Sequence, residues 1–180
     1  TLDVTRGDEV WNSSQVWYMP FDDMNDPVTD EISMWPWREA YYTINVCNFI
    51  LSRTTGDDAS LSESMKRIKG QALFLRGYSY YTLAGYYQNP ALVTDYANYS
   101  SLDGLYGKNS TYDDVLDQVE KDFAEAMTLL PSRDAGGEWA KGRATCGAAA
   151  GYYARTLMFR HKYSEALEVL KDIIGGTKYG

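Results

Sequence analysis

The sequence predicts an all-α protein in which helical hairpins stack as an α-α superhelix and are joined by long irregular loops. Apolar residues recur at steps of three and four along five stretches, which is the period of a helix with one buried face. Proline or glycine follows most of these stretches, and the segments between them are polar but rich in aromatic residues. The 180 residues, 44% hydrophobic and 23% charged, have the composition of a globular domain.

The first two helices follow a segment without periodicity, residues 1–34, which we predict to be an irregular loop region. We predict the first helix over residues 36–53, with Pro36 suited to the first turn. The second is predicted over residues 62–87, with Ser62 as its cap and Asn89-Pro90 as its stop. The apolar positions of this second helix spread over a wide face, which implies that the helix contacts two neighbouring elements rather than one.

The third helix opens at Ser110 or Thr111, where an aspartate three residues later resembles a capping box, and it runs to Pro131. The fourth, from about residue 144 to 161, is lined with alanine and glycine. The fifth, over residues 164–174, is predicted to bury its apolar side chains, which are Ala166, Leu167, Leu170, Ile173 and Ile174. Ala154, Ala166 and Leu170 have the small, small, large spacing of a tetratricopeptide hairpin.

The charge of the chain argues against a nucleic-acid partner. The net charge is -8, the pI is about 4.6, and no block of basic residues could neutralise a phosphate backbone.

The sequence also lacks the roughly 20 consecutive apolar residues that a membrane-spanning helix needs. Cys47 and Cys146 have no metal-ligand spacing, so we predict that both are small buried residues.

Catalytic motifs are absent from the sequence, so we predict a protein that is not an enzyme and has no cofactor or metal. The one histidine, His161, is predicted to be an exposed turn residue rather than a general base. The acidic run 22–31 lacks the ligand alternation of a calcium loop and is predicted to be solvated. A glycoside hydrolase ranks last among the alternatives, since any two of the 25 acidic residues could be its carboxylate pair.

The aromatic residues are the candidates for ligand binding. A flat ring can stack on the C–H face of a sugar, and neighbouring polar side chains can bind its hydroxyls. The alternative is that these rings fill the core, which we expect for those at helical spacing: Trp37, Tyr41, Phe74, Tyr78, Tyr81, Tyr152 and Tyr153. Those in predicted loops are Trp11, Trp17, Tyr18, Trp35, Tyr96, Tyr99, Tyr106 and Trp139.

Four segments, taken in order over residues 35–180, resemble the SusD/RagB family. "WREAYYTINVCNFIL" is similar to the first family helix, at Trp37, Tyr41, Ile44, Asn45 and Asn48. "KGQALFLRGYSYYTLAGYYQNPALVT" and "TYDDVLDQVEKDFAEAMTLLP" resemble the next two helices. "GRATCGAAAGYYARTLMFRHKYSEALEVLKDIIGGTKYG" resembles the Gly-Arg-Ala-Thr signature and its closing Lys-Tyr-Gly. The departures are Cys47, Cys146, Gln88 and His161, the last two at positions where the family commonly has glycine.

The resemblance implies a surface-exposed outer-membrane lipoprotein of a Gram-negative bacterium that captures glycan or another nutrient for a TonB-dependent (SusC-like) transporter, without cleaving it. It also implies that residues 35–180 are the helical-repeat part of a larger protein, whose lipid anchor and C-terminal portion are absent from this chain. Relatives bind ligand partly in the variable loop before the first matched helix. On composition and position we nominate, within residues 1–34, Arg6, Asp8, Trp11, Asn12, Trp17 and Tyr18. The alternative function is a helical-repeat scaffold that binds a protein and no glycan.

Overall fold

The computed structural model describes residues 31–55, 58–97, 107–135, 137 and 142–176. These residues contain helices and no strand, which confirms the predicted all-α class. The five α-helices within these described ranges are α1 (Glu31–Arg53), α2 (Glu63–Tyr87), α3 (Tyr112–Leu129), α4 (Cys146–Phe159) and α5 (Tyr163–Ile174). Two short 3-10 turns, Asp58–Ser60 and Arg133–Ala135, lie in the connections. None of the described helices is long and apolar enough to span a membrane.

The chain divides into two compact units, Thr1–Glu39 and Ala40–Gly180. The described part of the first unit is the beginning of α1, residues 31–39. The rest of α1 and all of α2 to α5 belong to the second unit, which contains the core described below.

Helix α1 begins at Glu31, so the predicted start at Pro36 is five residues late. Trp35, which we predicted to be in a loop, therefore lies in the helix, where its side chain is 60% exposed. Pro36 is the sixth residue of α1, beyond the four N–H groups at the start of a helix that have no intrahelical partner. It therefore lies inside the helix, where its missing N–H removes one backbone hydrogen bond, and it does not mark the first turn.

The predicted caps of α2 and α3 are confirmed. The Ser62 side chain accepts a hydrogen bond from the N–H of Met65, and Thr111 and Asp114 form a complete capping box. Helix α2 ends at Tyr87, before Pro90, as predicted. Gln88 has φ 61° and ψ -67°, and the N–H of Asn89 donates to the carbonyl of Tyr87 at 2.7 Å. This geometry is a γ-turn, a strained conformation for a residue with a side chain.

The core of the second unit lies between consecutive helices, because α3 packs on α2 and on α4, and α5 packs on α4. The apolar stripe predicted for α3 is confirmed by the complete burial of Val115, Val119 and Phe123. Ala154 and Ala166 are also buried, so small residues do line the contact between α4 and α5.

The predictions for the two cysteines and for the histidine are confirmed. Cys47 and Cys146 are buried free thiols. His161 is an exposed turn residue with φ 59°.

Helix α5 buries less than we predicted. Ala166 is buried, but Leu167 is 51% exposed and Ile174 is 83% exposed. The reason is geometric: α5 packs chiefly on α4, so only the narrow stripe that faces this neighbour is covered. An apolar periodicity shows that a residue is suited to burial, but a second neighbour is needed to bury it.

Candidate functional site

The six residues nominated as ligand contacts, which are Arg6, Asp8, Trp11, Asn12, Trp17 and Tyr18, lie outside the described residues. So do Tyr99, Tyr106, Trp139 and residues 22–30 of the acidic run. Of the aromatic residues predicted in the second loop, Tyr96 is described: it is partly exposed and its ring meets Phe49 edge-on at 5.2 Å. The described residues offer three other features for binding: a groove, an aromatic cluster and a fixed loop.

A groove of about 560 Å³ lies between α1 and α2. Its size is within the range of small-molecule sites. Its apolar walls carry large side chains that remain accessible to solvent, with Tyr42 69% exposed and Val46, Ile68 and Leu75 nearly half exposed. Its polar lining includes Ser64, Arg67, Gln71 and Arg143.

Arg143 reaches the groove because Gln71 fixes the chain beside it. The Gln71 amide donates to the carbonyl of Ala144 at 2.6 Å and accepts from the N–H of Ala144 at 3.3 Å, a two-bond contact across 73 residues of sequence. The next residue, Thr145, caps α4. Gly142 has φ 92°, a conformation that residues with side chains avoid. The Gly-Arg-Ala-Thr segment is thus held against α2 with Arg143 at the edge of the groove.

Sequence reasoning did not identify Gln71 and Arg143 as possible site residues. Both lie within segments that were recognised as family signatures, but the signatures gave no role to either. Their proximity results from a contact between residues 73 positions apart, which neither periodicity nor local motifs predict. No signal in the sequence could have found this arrangement, because the groove is visible only in the folded chain.

The floor of the groove includes Cys47, whose side chain is nearly inaccessible to solvent. Burial raises the pKa of Cys47 from 9.0 to about 11, although the nearby positive charge of Arg76 opposes the rise. The thiol is therefore neutral at physiological pH. Among the described residues that line the groove, the charged groups at neutral pH are Arg67 and Arg143, and no carboxylate lines it.

The aromatic cluster joins α2 to α4 around Tyr152. Its ring lies 5.4 to 5.8 Å, centroid to centroid, from the rings of Phe74, Tyr78, Tyr81 and Phe123. Most of these contacts are edge-on, the arrangement in which a ring edge meets a ring face. The core prediction for these rings is right in part, since they pack on one another, but Tyr78 is 43% exposed.

A shallow cleft of about 300 Å³ lies against α4 and shares Tyr152 with this cluster. The other residues that line it are Gly147, Ala148, Gly151 and Arg155. The guanidinium of Arg155 lies 5.7 Å from the centroid of the Tyr81 ring, a cation–π contact. Burial raises the pKa of the Tyr81 hydroxyl, and Arg155 partly opposes the rise, so the phenol is neutral at physiological pH.

The loop after α2 is fixed by side chains of the core. The Tyr80 hydroxyl donates to the carbonyl of Val93 and accepts from its N–H, at 2.8 and 2.7 Å. Asn48 of α1 also donates to the Val93 carbonyl, and the Tyr41 hydroxyl donates to the carbonyl of Ala91, each at 2.7 Å. Two positions that matched the family signature, Tyr41 and Asn48, therefore hold the start of this loop.

A buried ion pair supports the same loop. Arg76 of α2 donates two hydrogen bonds to the Asp122 carboxylate of α3, at 2.7 and 2.9 Å, and one to the Asn48 side chain. Burial alone would lower the pKa of Arg76, but the hydrogen bonds and charge of Asp122 raise it above its usual value. The guanidinium stays charged and joins α1, α2 and α3.

Two of the three comparisons with known proteins give matches, one to a family model and one to solved structures. The sequence model of the SusD-like family, described as starch-binding and associating with the outer membrane, matches residues 2–158. The comparison with curated proteins gives no match. Among solved structures, a SusD superfamily protein from Bacteroides vulgatus is 21% identical with a TM-score of 0.83, and the alignment covers 98% of this chain and 37% of that one.

Two further solved structures have names that state what they bind. A SusD-like carbohydrate-binding protein from Bacteroides fragilis is 24% identical with a TM-score of 0.76, over 95% of this chain and 31% of that one. Surface glycan-binding protein A from Bacteroides uniformis is 20% identical with a TM-score of 0.79, over 98% of this chain and 41% of that one. At these identities the likeness shows the fold. The chain spans about a third of the length of the solved structures that it matches.

Proposed function

We infer the function from the family: this chain belongs to the SusD-like family, described as starch-binding and associating with the outer membrane. We propose that it captures a glycan at the surface of a Gram-negative outer membrane and passes it uncleaved to a TonB-dependent, SusC-like transporter. The observation that carries the proposal is the family match over residues 2–158, which includes α1 to α3 and most of α4.

The chemistry of the chain supports a sugar ligand. Tryptophan and tyrosine combine a flat apolar face with a hydrogen-bonding tip, and the chain has 5 tryptophans and 16 tyrosines. We propose that the primary contacts come from Trp11, Trp17 and Tyr18, with hydrogen bonds from Arg6, Asp8 and Asn12. In this proposal the helical unit is the scaffold, and its rigidity comes from the buried ion pair and the fixed loop after α2.

The proposal is tested by affinity electrophoresis and calorimetry with a panel of soluble glycans, including starch and laminarin oligosaccharides. We expect wild-type chain to bind at least one glycan, and Trp11→Ala or Trp17→Ala to weaken that binding about tenfold, which corresponds to about 1.4 kcal/mol. Trp35→Ala is the matched control, because Trp35 is a tryptophan outside the nominated set, and its side chain in α1 is 60% exposed.

Circular dichroism separates lost contacts from lost folding in this experiment. All three variants should keep the helix content of the wild type. Full glycan affinity in both Trp11→Ala and Trp17→Ala would exclude the N-terminal residues as the site. Failure of the wild type to bind any glycan in the panel would contradict the proposed function itself.

A second candidate function is a helical-repeat scaffold whose ligand is a protein. The observation that favours it is the exposed apolar surface of α5, to which Tyr163, Leu167 and Ile174 contribute. This candidate would be preferred if no glycan bound while an outer-membrane protein co-purified with the chain. Leu167→Glu should then release that protein, and it should not affect glycan binding under the first proposal.

A further inference from the structure

We propose that the cleft on α4, lined by Gly147, Ala148, Gly151, Tyr152 and Arg155, binds a neutral sugar residue of the captured glycan. This inference rests on the proposed function and deepens it, because it adds a second glycan contact on the helical unit. The cleft is separate in sequence from the residues nominated before α1. In this site Tyr152 provides apolar surface and Arg155 provides hydrogen-bond donors.

The space for a sugar comes from the small residues of α4. Gly147, Gly151 and Arg155 follow one another at steps of four, so they lie along one face of the helix. A Cβ added to Gly151 would have no atom within 4 Å, which shows that the space beside this residue is open. The cleft of about 300 Å³ is at the lower end of the range for small-molecule sites, so it suits a short stretch of glycan.

The aromatic side of the cleft is fixed before a ligand arrives. Tyr152 is held by the four aromatic rings of the cluster described above, with centroids 5.4 to 5.8 Å away. Aromatic surface nonetheless stays accessible around it, since Tyr78 is 43% exposed and Phe159, which packs on Tyr81, is 56% exposed. A ring that is already held loses little conformational freedom when the C–H face of a sugar packs on it.

Arg155 provides the polar part of the site. It is an exposed residue, and its guanidinium lies 5.7 Å from the centroid of the Tyr81 ring. A guanidinium that packs on a ring keeps its N–H donors in its own plane, where they can bind neighbouring hydroxyls of a sugar. This contact uses hydrogen-bond donors and does not depend on an excess of positive charge, so a neutral sugar is sufficient.

A sugar suits this cleft better than an apolar segment of a protein. An apolar segment would cover the Arg155 guanidinium without offering it an acceptor, and burial of an unsatisfied charge is costly. A sugar has an apolar C–H face for the Tyr152 ring and hydroxyl oxygens that accept from Arg155. The combination of ring and guanidinium therefore favours a glycan as the occupant.

The first test fills the cleft and measures binding to soluble starch and laminarin oligosaccharides by calorimetry and affinity electrophoresis. In Gly151→Leu the new side chain occupies the open space, and we expect the affinity for a glycan that the wild type binds to fall about tenfold. Gly151→Ala adds a methyl group alone and should have a smaller effect. Gly85→Leu is the matched control, because Gly85 is also an exposed helical glycine with open space at its Cβ and does not line the cleft.

The second test removes the donors without filling the cleft. Arg155→Gln should weaken binding about fivefold, as the loss of hydrogen bonds from a charged group implies. Its control is Arg133→Gln, since Arg133 is an exposed arginine outside the cleft. The loss in Arg155→Gln should change little with salt, because sugar hydroxyls carry no charge for salt to screen. All the substituted residues are exposed, so circular dichroism should show unchanged folding.

Two results would overturn the inference and leave the proposed function intact. One is wild-type affinity in both Gly151→Leu and Arg155→Gln. The other is a loss in Gly85→Leu as large as that in Gly151→Leu, since the effect would then not be specific to the cleft. Failure of the wild type to bind any glycan would instead contradict the proposed function and the inference together.

Discussion

At the scale of single residues, Cys47 makes stability depend on pH. Its pKa is about 11 in the folded protein, against 9.0 for an unperturbed thiol. Well below pH 9 the thiol is neutral in both states. Between pH 9 and 11 it ionises in the unfolded chain but stays neutral in the fold, so ionisation stabilises the unfolded state. We therefore expect the free energy of unfolding to fall by roughly 2 to 3 kcal/mol over this range because of Cys47.

Urea unfolding at pH 8, 9, 10 and 11 measures this effect in the wild type and in Cys47→Ala. The cavity left by the substitution lowers stability equally at every pH, whereas the loss due to ionisation disappears with the thiol. The curve of stability against pH should thus be flatter for Cys47→Ala. Parallel curves for the two proteins would show that the Cys47 thiol does not resist ionisation in the fold.

At the scale of elements, two glycines of α2 should respond in opposite ways to alanine. A Cβ on Gly70 would lie 2.9 Å from Leu130 Cδ2 and 3.2 Å from Leu129 Cβ, whereas a Cβ on Gly85 would have no atom within 4 Å. Alanine favours helix over glycine by about 1 kcal/mol. We expect Gly85→Ala to raise the free energy of unfolding by up to that amount.

Gly70→Ala should instead destabilise by about 1 to 3 kcal/mol, because the contact between α2 and the end of α3 is overpacked. Thermal and urea unfolding of the two variants measure the difference, and each serves as the control for the other. If Gly70→Ala were as stable as Gly85→Ala, the packing of α2 against α3 would have to be looser than the structure shows.

The elements also show which parts of the fold could be predicted from the sequence. Local signals sufficed for the caps at Ser62 and Thr111 and for the end of α2, since a cap depends on residues within one turn. They failed at the start of α1, where Pro36 suggested a first turn but lies inside the helix. They failed again at Leu167 and Ile174, because burial depends on a neighbouring element and not on the helix itself.

At the scale of the whole molecule, the candidate groove could not be predicted because it depends on long-range contacts. The sequence shows Gln71 in one family signature and Arg143 in another, but only in the folded chain does Gln71 bind Ala144, the residue after Arg143. The N-terminal nominations rest on composition alone and stay predictions, since those residues lie outside the described part of the chain. Helical periodicity predicts which faces are apolar, whereas a binding site depends on which faces stay uncovered.

The last prediction concerns Arg76, which connects three helices through Asp122 and Asn48. In Arg76→Met the fully buried Asp122 carboxylate loses its charged partner, and we expect a loss of about 3 to 5 kcal/mol in urea unfolding. Arg76→Met with Asp122→Leu removes the unpaired charge and should recover much of that loss. Lys171→Met, which breaks the exposed pair with Glu168, should change stability by less than about 1 kcal/mol. An Arg76→Met variant no less stable than Lys171→Met would show that the buried pair does not hold these helices together.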